Sequence, residues 1–231
     1  MTLKAGLARR AAVEAIGTAW LLAAVVGSGI MATTLTRDLG LALLTNSIAT
    51  GATLVVIVTL FAPVSGSHFN PLVTLVFALR RDLPLVDAAA YALAQLIGAI
   101  AGVLLAHAMF GQPLISAYDQ VRSSGGQWLA EAVAAFGLVT TVMLGSRHDP
   151  DRTPALVGLY IVAAYWFTSS TSFANPAVAI ARSLTGSFSG IRGVDVPAFV
   201  VAELVGGMTA AWLVGWRFNA RAESGGRSLE P

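Results

Sequence analysis

The sequence predicts an all-α membrane protein with six transmembrane helices and two re-entrant half-helices, arranged as an inverted 3+3 repeat. Of its 231 residues, 56% are apolar and only 11% are charged, whereas soluble domains carry about 25% charged residues. Six charge-poor runs are long enough, or nearly so, to cross the roughly 30 Å hydrocarbon core of a bilayer. Two further apolar segments, each beginning with Asn-Pro, are too short to cross it.

The six runs define the transmembrane helices in chain order. The first lies between Arg10 and Arg37, where Glu14 is the only charged residue. This run is longer than the apolar part of a signal peptide, about 7 to 15 residues, so we favour a retained helix over a cleaved leader. The whole chain, 1–231, is then one transmembrane domain. The remaining helices are expected at 39–63, 85–110, 128–146, 154–168 and 196–216.

The positions of the basic residues predict the orientation in the membrane. Cytoplasmic loops carry an excess of Lys and Arg, and placing both termini in the cytoplasm leaves only Arg37, Arg122, Arg182 and Arg192 outside. We therefore expect a multi-pass protein of the cell (inner) membrane, with lipid as a partner and no role in nucleic-acid binding. The residues expected on the cytoplasmic side are Lys4, Arg9, Arg10, Arg80, Arg81, Arg147, Arg152, Arg217, Arg221 and Arg227.

The two Asn-Pro dipeptides mark the starts of the half-helices. Asn favours the N-cap of a helix and Pro favours its first turn. We therefore predict half-helices from Asn70 to Arg80 and from Asn175 to about Gly186. At about 1.5 Å per residue, each covers roughly half of the hydrocarbon core.

The two halves of the chain resemble each other. Glu14 in the first helix corresponds to Glu131 in the fourth, and Gln95 in the third corresponds to Glu203 in the sixth. Each half has three spans, so the second half is inverted in the membrane, and the half-helices should meet near its midplane. The predicted first repeat, second repeat and cytoplasmic tail cover about residues 8–110, 126–218 and 219–231.

The residues around each Asn-Pro resemble the two signature loops of the aquaporin, or major intrinsic protein, family. Residues 65–71 read Ser-Gly-Ser-His-Phe-Asn-Pro, and residues 172–177 read Ser-Phe-Ala-Asn-Pro-Ala. The resemblance extends from Glu14 to Glu203. It implies an aquaporin-like fold and a passive channel for small solutes rather than an enzyme, and it also implies a homotetramer.

The resemblance assigns a pore to the two signature loops. A buried unpaired polar group costs about 1–3 kcal/mol, so each Asn amide should cap its half-helix through oxygen and donate into the lumen through nitrogen. Leu72 stands where the family usually has Ala, which leaves the pore width near that junction open. The expected midplane residues are Asn70, Pro71, Leu72, Asn175, Pro176 and Ala177. The expected pore-lining loop residues are Gly66, Ser67, His68, Phe69, Thr171, Phe173 and Ala174.

Two acidic residues and one His lie at expected membrane depth. An intramembrane carboxylate needs a partner, and the resemblance implies that Glu14 and Glu131 accept hydrogen bonds from N–H groups of the signature loops. A proton relay is the alternative, although no chain of titratable groups connects the two. His68 has two open interpretations, a gating or proton-binding group and a packed structural side chain.

The resemblance also implies a selectivity filter beyond the Asn-Pro junction. The family's Arg after the second triplet is replaced by Val178, and the next basic residue, Arg182, is about 6 Å further along a helix. Family spacing gives the other filter positions as Thr50, Ala163 and Ser172. This wide filter without Arg resembles that of bacterial aquaglyceroporin-like channels associated with arsenic-resistance operons. The implied solutes are glycerol, water and neutral metalloids such as arsenite or antimonite, with methylated arsenicals as further candidates.

Several other functions are less consistent with the sequence. A water-selective aquaporin and a secondary transporter of a small neutral solute remain the alternatives. An enzyme would need a supported nucleophile, which we do not find. With no Cys in the chain and no ligand cluster around His107 or His148, we predict neither a metal nor a cofactor.

Overall fold

The computed structural model describes the backbone of residues 5–224 and the side chains of residues 5–215. In this part of the chain the regular structure is helical, with two 3₁₀ turns at Arg182–Leu184 and Gly193–Asp195. The α-helices are α1 (Leu7–Leu35), α2 (Leu39–Ser65), α3 (Pro71–Leu79), α4 (Leu85–Met109), α5 (Gly125–His148), α6 (Thr153–Phe167), α7 (Pro176–Ala181) and α8 (Val196–Ser224).

The long helices match the expected transmembrane segments. Helices α1, α2, α4, α5 and α8 are long and apolar enough to cross a membrane, while α6 has 15 residues and a length of about 22 Å. The fold class is therefore confirmed, with one span shorter than the rest. Helix α8 continues to Ser224, past the expected end of the second repeat, and residues 225–231 of the expected tail lie outside the described residues.

Close approach of backbones joins the helices in equivalent pairs. A Cβ at Gly98 of α4 would collide with the carbonyl oxygen of Ala15 in α1, and a Cβ at Gly206 of α8 would collide with that of Ala132 in α5. Small residues permit this kind of contact between membrane helices. The α1–α4 and α5–α8 pairs thus have the same packing in the two halves.

The half-helices start at the predicted residues. The side chain of Asn70 accepts a hydrogen bond from the N–H of Leu72 at 2.9 Å, and that of Asn175 accepts one from the N–H of Ala177 at 3.0 Å. Helix α3 ends at Leu79, close to the predicted Arg80. We refer to the side of the molecule where α1 begins as the first face and to the side where α1 ends as the second face. Helix α3 runs toward the first face and α7 toward the second.

The predicted end of the second half-helix, about Gly186, is wrong. Helix α7 ends at Ala181 and continues only as the 3₁₀ turn Arg182–Leu184. The reason is tertiary, because the N–H of Gly186, which a continuing helix would direct to the Arg182 carbonyl, donates to the Ser116 hydroxyl at 2.7 Å. The Arg182 carbonyl accepts instead from the N–H groups of Thr185 at 3.5 Å and Ile191 at 3.3 Å. The chain turns back at this point, which fixes the position of the Arg182 side chain.

Candidate functional site

The two asparagines bind each other's loops where the half-helices meet. The Asn70 Nδ2 atom donates to the carbonyl oxygen of Ala174 at 2.8 Å, and the Asn175 Nδ2 atom donates to that of Phe69 at 2.8 Å. An amide nitrogen carries two hydrogens, so one on each Asn is left over after this exchange. Both side chains also line a cavity, into which that second hydrogen can donate.

The loops before each Asn have an unusual backbone. Ser67 and Phe69 in the first loop have φ values of 52° and 47°, and Ser172 and Ala174 in the second have 51° and 49°. Such left-handed conformations are unfavourable for residues other than Gly and cost about 1–3 kcal/mol each. They persist only where the surroundings hold them, and here they turn the Phe69 and Ala174 carbonyls toward the opposing Asn.

Glu14 holds the first loop. Its carboxylate accepts hydrogen bonds from the N–H groups of His68 at 3.0 Å and Phe69 at 2.6 Å. The Ser65 hydroxyl donates to it at 2.6 Å and the Gln95 Nε2 atom at 2.8 Å. The buried carboxylate is therefore satisfied by four donors, three of them from or beside the strained loop.

Glu131 holds the second loop with the help of a second acid. It accepts from the N–H groups of Phe173 at 2.9 Å and Ala174 at 2.8 Å. Glu203 of α8 accepts from the next N–H, that of Asn175, at 3.0 Å. Glu203 occupies the place that corresponds to Gln95 in the first half. Its Oε2 atom is buried and makes no hydrogen bond to any other described residue.

We predict that Glu203→Gln preserves the channel. Gln has the shape of Glu, and its amide nitrogen can donate to Glu131 as Gln95 donates to Glu14. Its amide oxygen can still accept from the N–H of Asn175. The variant should keep wild-type permeability per inserted molecule in liposome light-scattering assays. Glu203→Ala, which leaves that N–H unpaired, should lower the permeability or the folded yield. Loss of function in Glu203→Gln alone would show that the second acid has a role that an amide cannot fill.

A single cavity of about 740 Å³ contains both asparagines. It extends from Arg80 and Pro150, near the first face, to Thr50 and Tyr165, near the second. Loop residues Gly66, Ser67, His68, Phe69, Ser172 and Phe173 also line it. The cavity therefore connects the regions that the sequence assigned to the two sides of the membrane, with the paired Asn side chains between them.

Other predicted midplane and loop residues do not line this cavity. Leu72 is fully buried and lies against α8, where a Cβ on Gly207 would be 2.7 Å from its methyl groups. Leu72, expected among the midplane residues, is thus absent from the cavity lining, because its side chain packs against α8. The remaining predicted residues absent from the cavity lining are Pro71, Thr171, Ala174, Pro176 and Ala177.

Three of the four predicted filter residues line the second-face end of the cavity, namely Thr50, Ser172 and Val178. Ala163 is exposed on α6 and is absent from the lining, so its assignment is wrong. Ile161 and Tyr165, four residues apart, share the inward face, whereas Ala163 is rotated about 200° from Ile161. Tyr165 lines this end of the cavity instead, and its hydroxyl lies 3.3 Å from the Thr50 hydroxyl.

Comparison with known proteins agrees with this geometry. The family model described as "Major intrinsic protein" matches residues 2–170. The chain belongs to the major intrinsic protein family. It is 60% identical over 210 residues to aquaglyceroporin AqpS of Rhizobium meliloti (strain 1021), covering 91% of this chain and 90% of that protein. It is 32% identical to aquaporin Z of Rhodopseudomonas palustris, with coverages of 84% and 87%.

A solved structure supports the fold. The chain resembles the aquaglyceroporin from Plasmodium falciparum with a TM-score of 0.72, covering 90% of this chain and 95% of that one at 18% sequence identity. Membership of the major intrinsic protein family establishes a multi-pass membrane channel for small solutes and not an enzyme.

His68 in this family member is half-buried and packs against three side chains. Its Nδ1 atom lies 3.1 Å from the Thr74 hydroxyl. Its ring contacts those of Phe77 and Tyr91, at centroid distances of 4.7 and 5.5 Å. The side chain nevertheless borders the cavity, so the packing interpretation has direct support and the gating interpretation has position alone.

Among the side chains of residues 5–215, no group of three or more His, Asp or Glu is placed to hold a metal ion. The ring nitrogens of His107 lie 2.8 Å from the Leu114 carbonyl and 2.7 Å from the Thr185 hydroxyl. It joins the loop after α4 to the loop after α7.

We predict that Glu131→Ala lowers the folded yield of the channel more than Glu131→Gln does. Alanine leaves the N–H groups of Phe173 and Ala174 unpaired, at about 1–3 kcal/mol each, beside a strained backbone. Gln retains one acceptor oxygen and should be intermediate. The measurement is the fraction of monodisperse, detergent-solubilised protein and its melting temperature. Equal stability of all three proteins would contradict the loop-supporting role.

Proposed function

We propose that this chain is a channel for small neutral solutes with a wide outer constriction, admitting glycerol and neutral trihydroxy metalloids such as arsenite or antimonite as well as water. The proposal extends to methylated arsenicals. The observation that carries it is the residue that follows the Asn-Pro-Ala triplet at 175–177. This residue is Val178 rather than Arg, and it lies on the wall of the continuous cavity.

The chemistry of the lining supports neutral, hydroxyl-bearing solutes. The Thr50, Tyr165 and Ser172 hydroxyls lie on the cavity wall with the two Asn amides, while Val178 and Leu54 supply apolar surface. The hydroxyl and amide groups on this wall can replace some of the hydrogen bonds that a solute loses with its hydration water. The relative in Rhizobium meliloti is named an aquaglyceroporin, which agrees with a solute larger than water.

Osmotic light scattering with purified protein in liposomes tests the proposal. The permeability per inserted molecule should be well above that of protein-free liposomes for water, glycerol and arsenous acid, and linear in solute concentration. Permeation of water alone would favour a water-selective aquaporin. Saturable, gradient-coupled accumulation would favour a secondary transporter.

Orientation and assembly complete the proposal. The positive-inside distribution supports both termini in the cytoplasm and the cell (inner) membrane as location, and the family resemblance supports a homotetramer. Cysteine labelling at an introduced Gly125→Cys, at the exposed first residue of α5, tests the orientation, because that end of the helix should react with impermeant reagents from outside. Native mass spectrometry tests the oligomer.

A further inference from the structure

Glu203 and Glu131 form an acidic pair behind the second signature loop. Both side chains are fully buried, and their carboxyl groups lie against each other between α8 and α5. Three successive N–H groups of the loop donate to the pair, those of Phe173 and Ala174 to Glu131 and that of Asn175 to Glu203. The pair thus connects two long helices to the backbone beside the second Asn-Pro junction, although neither acid lines the cavity.

One of the four carboxyl oxygens of this pair has no donor. The Oε1 and Oε2 atoms of Glu131 each accept one loop N–H group, and the Oε1 atom of Glu203 accepts the third. The Oε2 atom of Glu203 is buried and receives no hydrogen bond from the described residues. A buried charged oxygen without a hydrogen-bond partner is costly. The neighbouring carboxyl group can relieve this cost only if a hydrogen lies between the two side chains.

The first half of the chain has a hydrogen at the equivalent place. Gln95, which corresponds to Glu203, donates through its Nε2 atom to the Oε2 atom of Glu14 at 2.8 Å, and Glu14 corresponds to Glu131. An ionised Glu203 would instead set two acceptors against each other. A protonated carboxyl group has an O–H donor, so a protonated Glu203 restores the hydrogen bond that the first half makes with an amide.

The surrounding charges do not neutralise the pair through an ion pair. Arg182, in the turn after α7, interacts electrostatically with both acids, but none of the ion pairs among the side chains of residues 5–215 includes Glu131 or Glu203. Tyr160 of α6 also interacts with Glu131, and its hydroxyl donates to the Ala134 carbonyl at 2.9 Å. Two carboxylates in contact away from water repel each other strongly, and a single shared proton removes that repulsion.

We propose that Glu203 is a positioning residue of the channel that acts in its protonated form. Its Oε2–H group donates to Glu131, so one shared proton joins α8 to α5, while its other oxygen holds the N–H of Asn175. Loss of the proton sets two negative charges against each other and loosens the support of the second loop, so permeability falls when the pair ionises. The inference does not depend on which neutral solutes the channel conducts.

Infrared spectroscopy of the purified protein tests the proton directly. A protonated carboxylic acid has a carbonyl stretching band that a carboxylate lacks. At about pH 8, where Asp and Glu side chains in water are ionised, the wild type should show this band and Glu203→Gln should not. Absence of the band from the wild type would overturn the proposal, whether or not the variant folds. Persistence of the band in Glu203→Gln would overturn it too.

Thermal unfolding in detergent gives a second readout, because a proton that only the folded protein binds links stability to pH. Above about pH 6 the unfolded chain has ionised Glu side chains, so folding takes up one proton in the wild type and none in Glu203→Gln. The unfolding equilibrium constant of the wild type, relative to that of the variant, should therefore rise about tenfold per pH unit until the pair ionises. A ratio that does not change with pH would contradict the shared proton.

Asp38→Asn is the matched control for removing an acid. Asp38 is exposed at the N-cap of α2 and accepts from the N–H of Leu41 at 2.9 Å, and Asn caps helices as well as Asp does. Water solvates this carboxylate in the folded and in the unfolded chain, so the stability of the control relative to the wild type should not vary with pH over the same range.

Osmotic light scattering over the same pH range connects the proton to the channel. Wild-type water permeability should fall about five- to tenfold at the pH where the infrared band disappears, while Glu203→Gln keeps its permeability. Loss of the band without loss of permeability would overturn the positioning role, and so would a parallel fall in both proteins. A wild type that conducts water but not glycerol would contradict the proposed solute and leave all three measurements of the proton valid.

Discussion

Replacing Asn175 by Asp should abolish most solute permeation and make the channel leak cations. Asn175 donates to the Phe69 carbonyl at 2.8 Å and accepts from the N–H groups of Ala177 and Val178. A carboxylate can keep the accepting contacts, but its second oxygen would face the Phe69 carbonyl without a hydrogen to share. The result is two opposed acceptors and a negative charge on the cavity wall.

The measurement is permeability to water, glycerol and sodium in liposomes, normalised to inserted protein. Asn70→Asp, the corresponding change in the first half, should behave similarly, because Asn70 makes the same contact with the Ala174 carbonyl. Asn46→Asp controls for general damage. Asn46 is a buried amide that donates to the Val25 carbonyl at 2.8 Å and is absent from the cavity lining. Correctly inserted Asn175→Asp with wild-type permeability would contradict the paired-asparagine pore.

Replacing Val178 by Arg should suppress glycerol permeation at least tenfold while reducing water permeation much less. Val178 lines the cavity, so a longer side chain there narrows the cavity where Thr50 and Ser172 also line it. Positions 178 and 182 are about 6 Å apart along the helix axis, so the new side chain would also add a second positive charge near Arg182. Water is small enough to pass and to exchange hydrogen bonds with it, whereas glycerol and arsenous acid are obstructed.

Val178→Met separates the effect of volume from that of charge. It narrows the cavity without adding a hydrogen-bond donor or a charge, so it should reduce glycerol permeation by less than Val178→Arg does. The measured quantity is the glycerol-to-water ratio for each variant. A proportional fall of both permeabilities in Val178→Arg, with no change in their ratio, would mean that the constriction lies elsewhere in the cavity.

The sequence by itself determined the architecture of this protein. Apolar length fixes which segments cross the membrane, and Asn-Pro fixes where the half-helices start, because capping and proline geometry are local properties. The cost of an unpaired carboxylate in an apolar segment pointed to Glu14 and Glu131 as groups that need donors. In the structure, N–H groups of the signature loops are these donors.

Only the tertiary structure decided which side chains reach the cavity. Each helical residue is rotated by about 100° from the last, so an error of two positions moves a side chain to the opposite face, as at Ala163. The same applies to Leu72, whose direction depends on how α3 packs against α8. Arg182 lines the cavity from a 3₁₀ turn whose first carbonyl accepts a hydrogen bond from the N–H of Ile191, after the chain has turned back. A contact of that kind leaves no local signal in the sequence.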